Sequence, residues 1–185
     1  MNRIIRFYLS RAAWELFVLL VVTIVVATLA GGAQAGPDGH PAPAPWWQQV
    51  FGVLWWTMVC GWFWAIGMAA NQRTREDIRP GNLWLALAAG YPVLWIIAVT
   101  MLYGGETELD PQAGEATAIF ISFLLLVFCI GYTVRFVAKG IWLAEQDREV
   151  DFEKYGGLLM LLLVFPVALW FVQPRVRKLY GKNEE

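Results

Sequence analysis

Five carboxylates alternate through "LAEQDREVDFEKYG": Glu145, Asp147, Glu149, Asp151 and Glu153. Acids gathered this closely can collect a divalent cation. The stretch nevertheless lacks the glycine and the ligand spacing of a calcium loop. The preferred reading is a solvated turn. In it Asp151 caps the following helix, and Glu145 and Glu149 pair locally with Arg148. A second acidic group, Glu106, Glu108, Asp110 and Glu115, reads as a hydrated loop in preference to a cation funnel. Glu15 lies just inside an apolar run, where a carboxylate is a functional candidate. Arg11 stands one helical turn before it, placed to form an ion pair.

Other chemistries fail for want of parts. The single histidine, His40, sits in a proline-rich loop, so no Ser/His/Asp set or histidine metal site can form. Cys60 and Cys129 fall within apolar runs and read as small buried hydrophobes. No glycine-rich phosphate loop occurs. No ionisable residue lies near the middle of an apolar run, which argues against a proton relay. The expectation is a non-enzymatic protein with no cofactor. At a net charge of −1 there is no basic field for nucleic acid.

One further constellation is aromatic. Trp47, Phe51, Trp55, Met58 and Trp62 recur at spacings that share one helical face. A flat apolar ligand could stack there, but helix packing and lipid contact are the preferred reading. Ala86-x-x-x-Gly90 fits the small-xxx-small pattern of closely packed membrane helices.

The elements that carry these residues are membrane helices. The chain is 58% hydrophobic and 16% charged, with 11 tryptophans. Soluble domains run near 45–50% apolar and about 25% charged. Apolar runs cover 12–30, 46–70, 82–103, 118–136 and 157–173. A crossing needs about 20 apolar residues; the first four runs qualify. The fifth is shorter, roughly 25 Å as a helix, and contains Pro166, which removes a helical hydrogen bond. Residues 137–156 read as a charged connector and 174–185 as a tail.

The connectors set the orientation, because short loops rich in Lys and Arg stay cytoplasmic. Arg3, Arg6 and Arg11 place the N-terminus inside. Residues 31–45 and 104–117 carry no Lys or Arg and fall outside, whereas Arg73, Arg75 and Arg79 hold 71–81 inside. A basic start followed by apolar 16–30 and "AQA" also resembles a signal peptide cut after Ala35. Glu15 and the length of the run favour retention. If run five re-enters, all 14 Lys and Arg lie on the inner side. The fold class expected is therefore all-α, with four transmembrane helices and a C-terminal re-entrant or interfacial hairpin; the alternative is five transmembrane helices.

Residues 143–176, "LAEQDREVDFEKYGGLLMLLLVFPVALWFVQPRV", resemble the C-terminal signature of a family of small bacterial polytopic membrane proteins. The residues that carry the likeness are Glu145, Arg148, Glu149, Val150, Phe152, Tyr155, Pro166, Trp170, Gln173, Pro174 and Arg175. The family motif has a glycine after the first proline, where this chain has Val167 and Ala168. The resemblance implies a multi-pass protein of the bacterial inner membrane and no particular activity. A structural, assembly or partner-binding role is expected, in contact with membrane lipid and within a homo-oligomer or larger membrane complex. The alternatives are a small-solute channel or transporter, and a binder of a hydrophobic cofactor or lipid.

The orientation is open to single-cysteine labelling at positions 38, 74 and 108 in a chain lacking Cys60 and Cys129. An impermeant reagent should reach positions 38 and 108 in intact cells. Its reaction at position 74 would overturn the assignment.

Overall fold

Helices account for nearly all of a computed structural model described over residues 3–11, 13–30, 46–103, 113–146 and 151–181. Seven are present: α1 (Arg3–Ser10), α2 (Ala13–Ala30), α3 (Trp46–Arg73), α4 (Asn82–Tyr103), α5 (Ala113–Gln146), α6 (Phe152–Leu163) and α7 (Phe165–Gly181). No strand occurs among the described residues. Three of the helices, α3, α4 and α5, are long and apolar enough to cross a membrane, and a shorter apolar stretch runs Trp14–Thr23 in α2. The expected loop 31–45, the cleavage point after Ala35, His40, Arg148 and the acids at 106, 108, 110, 147 and 149 lie outside the described residues.

The centre of the bundle is α3, which touches α1, α2, α4 and α5. Its inner half is lined by small residues. Ala65, Ala69 and Ala70 are buried against Val137, Ala138 and Ile141 of α5. Gly67 marks the point where three helices converge: a Cβ there would sit 2.9 Å from Leu85 Cδ2 on α4 and 3.3 Å from Val137 Cγ2 on α5. Gly61 does the same for α1, with the Tyr8 hydroxyl 2.6 Å from where its Cβ would be. Between membrane helices, lipid removes most of the hydrophobic drive to associate, so close backbone approach through small residues supplies much of the packing energy.

Several element boundaries differ from the sequence reading. The fourth run does not stop at 136, because α5 continues to Gln146 and buries Val137, Ala138, Ile141 and Leu143. Most of the expected connector 137–156 is therefore helix. The N-terminal segment forms a separate helix, α1, whose Ile5 and Leu9 face the core. The Ala86/Gly90 pair makes no close helix contact: Ala86 is exposed and an added Cβ at Gly90 meets nothing within 4 Å. Asp151 occupies the N-cap of α6, but its side chain makes no capping hydrogen bond. Thr74 is buried, its hydroxyl donating to the Ala70 carbonyl at 3.1 Å. The exposed Glu76 is therefore the better labelling position in that turn.

The fifth run is two helices. α6 ends at Leu163, Val164 takes a non-helical conformation (φ −91°, ψ 65°), and α7 begins at Phe165. Proline at 166 explains the break, since it has no N–H to continue the ladder and its ring would meet the preceding turn. In α7 it falls in the first turn, where a missing N–H costs no hydrogen bond. The expected tail is not a separate segment, because α7 runs through Pro174 to Gly181.

The convergence at Gly67 predicts that Gly67→Leu lowers the melting temperature in detergent, at an overpacking cost of about 1–3 kcal/mol. Gly131→Leu, where an added Cβ meets nothing within 4 Å, should leave it within a degree or two. Equal melting of the two variants would show that α3, α4 and α5 do not depend on this contact.

Candidate functional site

The inward residues of α7 recur at helical spacing: Phe165, Ala168, Leu169, Val172, Gln173 and Val176. All but Phe165 are fully or almost fully buried. A glutamine thus stands where the pattern calls for an apolar side chain. Both polar atoms of its amide are engaged. Gln173 Nε2 donates to the Tyr8 carbonyl at 2.7 Å and to the Arg11 carbonyl at 3.0 Å. Its Oε1 accepts from the Trp62 indole Nε1–H at 2.9 Å. Two carbonyls on one side and an indole N–H on the other dictate the orientation of the amide.

The need for those donors originates in α1. That helix stops at Ser10, which leaves its last carbonyls without helical partners. Gln173, more than 160 residues away in sequence, supplies what the chain cannot supply locally. Trp62 is 1% exposed, so its N–H also requires a partner. One side chain therefore joins α7, the α1–α2 elbow and α3.

Aromatic contacts surround this junction. The Phe165 ring lies 5.4 Å from Trp62 and 5.6 Å from Phe63 by centroids, with Trp62 and Phe63 edge to face at 5.0 Å. Trp170 is 49% exposed and contacts Phe17 at 5.8 Å. Because Trp170 meets Phe17 of α2 and Gln173 meets Arg11 just before it, α7 runs antiparallel to α2. At the far end, Arg175 grips Glu145 with both arms, Nε to Oε1 at 3.1 Å and Nη2 to Oε2 at 2.9 Å. Glu145 is therefore the partner of Arg175. This pair returns α7 to the last turn of α5, the end from which the chain leaves for α6.

Arg11 has a second role. Its guanidinium pairs with Glu15 at 3.3 Å and lies 5.2 Å from the Phe7 ring centroid. Glu15 is thus the expected paired carboxylate at a helix start. Burial, and secondarily the Cys60 thiol, raise the Tyr8 hydroxyl above its ordinary 10.0, so it stays neutral at physiological pH. In the 71–82 turn, Arg79 donates to the Thr74 and Gln72 carbonyls at 3.1 and 3.2 Å, closing the C-terminal end of α3. Asn71 bridges the same turn, donating to the Pro80 carbonyl and to Asn82 Oδ1.

The aromatic stripe of run two divides along its length. Trp62 belongs to the core, Trp55 and Met58 pack against it, and Trp47 and Phe51 are half-exposed, 6.4 Å apart by centroids. A separate feature lies between α4 and α5. An apolar groove of about 680 Å³ opens there, lined among others by Trp84, Ala86, Gly90, Tyr91, Phe128 and Tyr132. No group of three or more His, Cys, Asp or Glu able to hold a metal occurs among the described residues. Pro174 is exposed on the outer face of α7, and Cys60 and Cys129 are free thiols.

The residue that sequence reasoning undervalued is Gln173, noted only within the C-terminal resemblance. Its signal was present: a lone amide on the apolar stripe 165–176. Comparison with protein-family models, with curated proteins and with solved structures finds no match to this chain.

Gln173→Leu should strip donors from two carbonyls and an acceptor from a buried indole. Each unsatisfied buried group costs about 1–3 kcal/mol. Trp62→Phe should cost less, and the double variant should fall short of the sum by about 0.5–3 kcal/mol. Arg175→Ala removes a half-exposed pair and should cost at most about 1 kcal/mol. Strict additivity of Gln173→Leu and Trp62→Phe in thermal or denaturant melts would rule out the coupling.

Proposed function

We propose that the chain is a multi-pass scaffold of the bacterial inner membrane, in which α2, α3, α4 and α5 cross the bilayer and the N-terminus is cytoplasmic. The α6–α7 pair enters from the cytoplasmic side, breaks at Val164 and returns. Its role is non-enzymatic: structural, assembling or partner-binding, as a homo-oligomer or a subunit of a larger membrane complex.

The observation that carries this reading is the pairing of Arg175 with Glu145. It sets the basic end of α7 beside the end of α5, so the hairpin begins and finishes at one face. The helix lengths agree: 12 residues in α6 and 17 in α7, roughly 18 and 25 Å, are each short of a hydrocarbon core of about 30 Å. The returning arm, α7, is packed against α1, α2 and α5. Keeping Arg175, Arg177 and Lys178 inside also obeys the charge bias of the other connectors.

A filled interior supports a scaffold over a channel. Ala65, Ile66, Ala69, Val137, Ala138 and Ile141 close the α3–α5 seam with no exposed surface. The resemblance over 143–176 joins this proposal, since Glu145, Trp170, Gln173 and Arg175 of that stretch are residues that hold the hairpin in place.

Reporters fused after Glu185 test the topology. A fluorescent protein that matures only in the cytoplasm should be bright, and alkaline phosphatase at the same point inactive. The reverse pattern would make α6–α7 a kinked fifth crossing. Light scattering in mild detergent tests assembly: the particle should exceed the mass of one chain, and a lone monomer would overturn that half of the proposal.

A further inference from the structure

The α4–α5 groove faces away from the bundle, and its two helices can be aligned. Tyr91 donates to the Ser122 carbonyl at 3.2 Å and Trp95 to Ser122 Oγ at 3.1 Å. Nearer the other end, Leu85 and Val137 meet at Gly67. These two levels bring the start of α4, Asn82, beside the stretch 135–139 of α5. Along α5, Phe128, Tyr132, Arg135 and Lys139 follow one another at spacings of four, three and four, which is a single helical face. Phe128 is 67% exposed and, with Tyr132, lines the groove; Arg135 and Lys139 continue the stripe below it and are exposed. Trp84, 66% exposed, stands at the same level on α4.

Among the described residues the two cations meet no acid. The ion pairs among the described residues are Arg11–Glu15, Arg75–Asp77 and Arg175–Glu145, none of which involves Arg135 or Lys139. The groove itself is almost wholly apolar, and its volume falls within the roughly 300–1,000 Å³ of ligand sites. An apolar groove about as long as half a membrane, ending in two cations without an acidic partner among the described residues and in a tryptophan at headgroup level, is complementary to one kind of molecule. It needs a hydrocarbon chain and an anionic head.

We infer that the α4–α5 groove binds a single anionic diacyl phospholipid, one acyl chain lying along Ala86, Gly90 and Phe128 and the phosphate held by Arg135 and Lys139. The inference rests on the membrane-spanning reading above. The unpaired Ala86/Gly90 stripe then has a purpose: small side chains on α4 leave room for a chain where no helix packs. Basic sites between helices at the cytoplasmic face are suited to anionic headgroups, each cation contributing about fivefold in affinity.

The test uses the full chain in detergent, titrated with phosphatidylglycerol or with phosphatidylcholine of the same acyl composition and read by native mass spectrometry. Phosphatidylglycerol should be retained in preference. The double variant Arg135→Ala/Lys139→Ala should lose about 25-fold of that preference and keep its phosphatidylcholine binding. Gly90→Leu should reduce both lipids by narrowing the groove. Arg177→Ala/Lys178→Ala, which removes equal charge from α7, should change neither. Equal retention of the two lipids by the native chain would overturn the site, as would an equal loss in the α7 variant. A dimer that Gly90→Leu dissociates without altering lipid retention would assign the groove to a second copy instead. Insertion of each variant into lipid nanodiscs separates these outcomes from failure of the membrane reading: a chain that inserts but shows no lipid preference refutes the site alone.

Discussion

The α1–α2 elbow cannot satisfy its own backbone, and much of the tertiary arrangement depends on how that debt is met. Helix α1 is eight residues long, too short to stand alone, since isolated helices below about 12–15 residues are marginal in water. The carbonyls of Tyr8, in its last turn, and of Arg11, just after it, find their donors when α7 lies antiparallel to α2 with Gln173 at the elbow. The same amide takes the indole proton of Trp62, so α3 must present that ring at the same depth. Three elements are thereby tied through one side chain, and a shift of any one leaves buried polar groups unpaired.

The rest of the packing solves a different problem. A membrane helix gains little by exchanging lipid for another apolar surface, so contact must be close to be worth making. Gly61 admits the Tyr8 ring, and Gly67 admits Leu85 and Val137. The large aromatic side chains are then confined to places with room for them: Trp62, Phe63 and Phe165 form one cluster at the turn of the hairpin. Aromatic pairs in such offset and edge-on arrangements contribute about 0.5–1.5 kcal/mol beyond their buried area. The cluster sits beside Val164, where the backbone is irregular.

Charge performs more than one task in the structure. Arg11 pairs with Glu15, and Arg79 closes the end of α3 through the carbonyls of Gln72 and Thr74. A cation at a helix C-terminus is additionally favoured by the macrodipole. Arg175 binds Glu145 across the hairpin mouth. Arg135 and Lys139 differ in that no acid among the described residues meets them.

Composition and run length by themselves determined that the chain is helical and apolar on the scale of a bilayer, because hydropathy over about 20 residues depends on local content alone. The Arg11–Glu15 pair was equally local, a matter of one helical turn. The interruption at run five was legible in Pro166, whose missing N–H acts wherever it is placed. Tertiary structure decided what local content could not. That α5 runs on to Gln146 follows from Ile141 and Leu143 finding a buried site on neighbouring helices, although charged residues nearby suggested a connector. That Glu145 meets Arg175 follows from the return of α7. The small pair Ala86/Gly90 looked like a helix contact, whereas Gly67 became one, since a small residue permits close approach but only the neighbouring helix decides whether it occurs. Gln173 was visible as an amide on an apolar stripe, yet its three partners lie on segments remote in sequence, and no local pattern could have identified them.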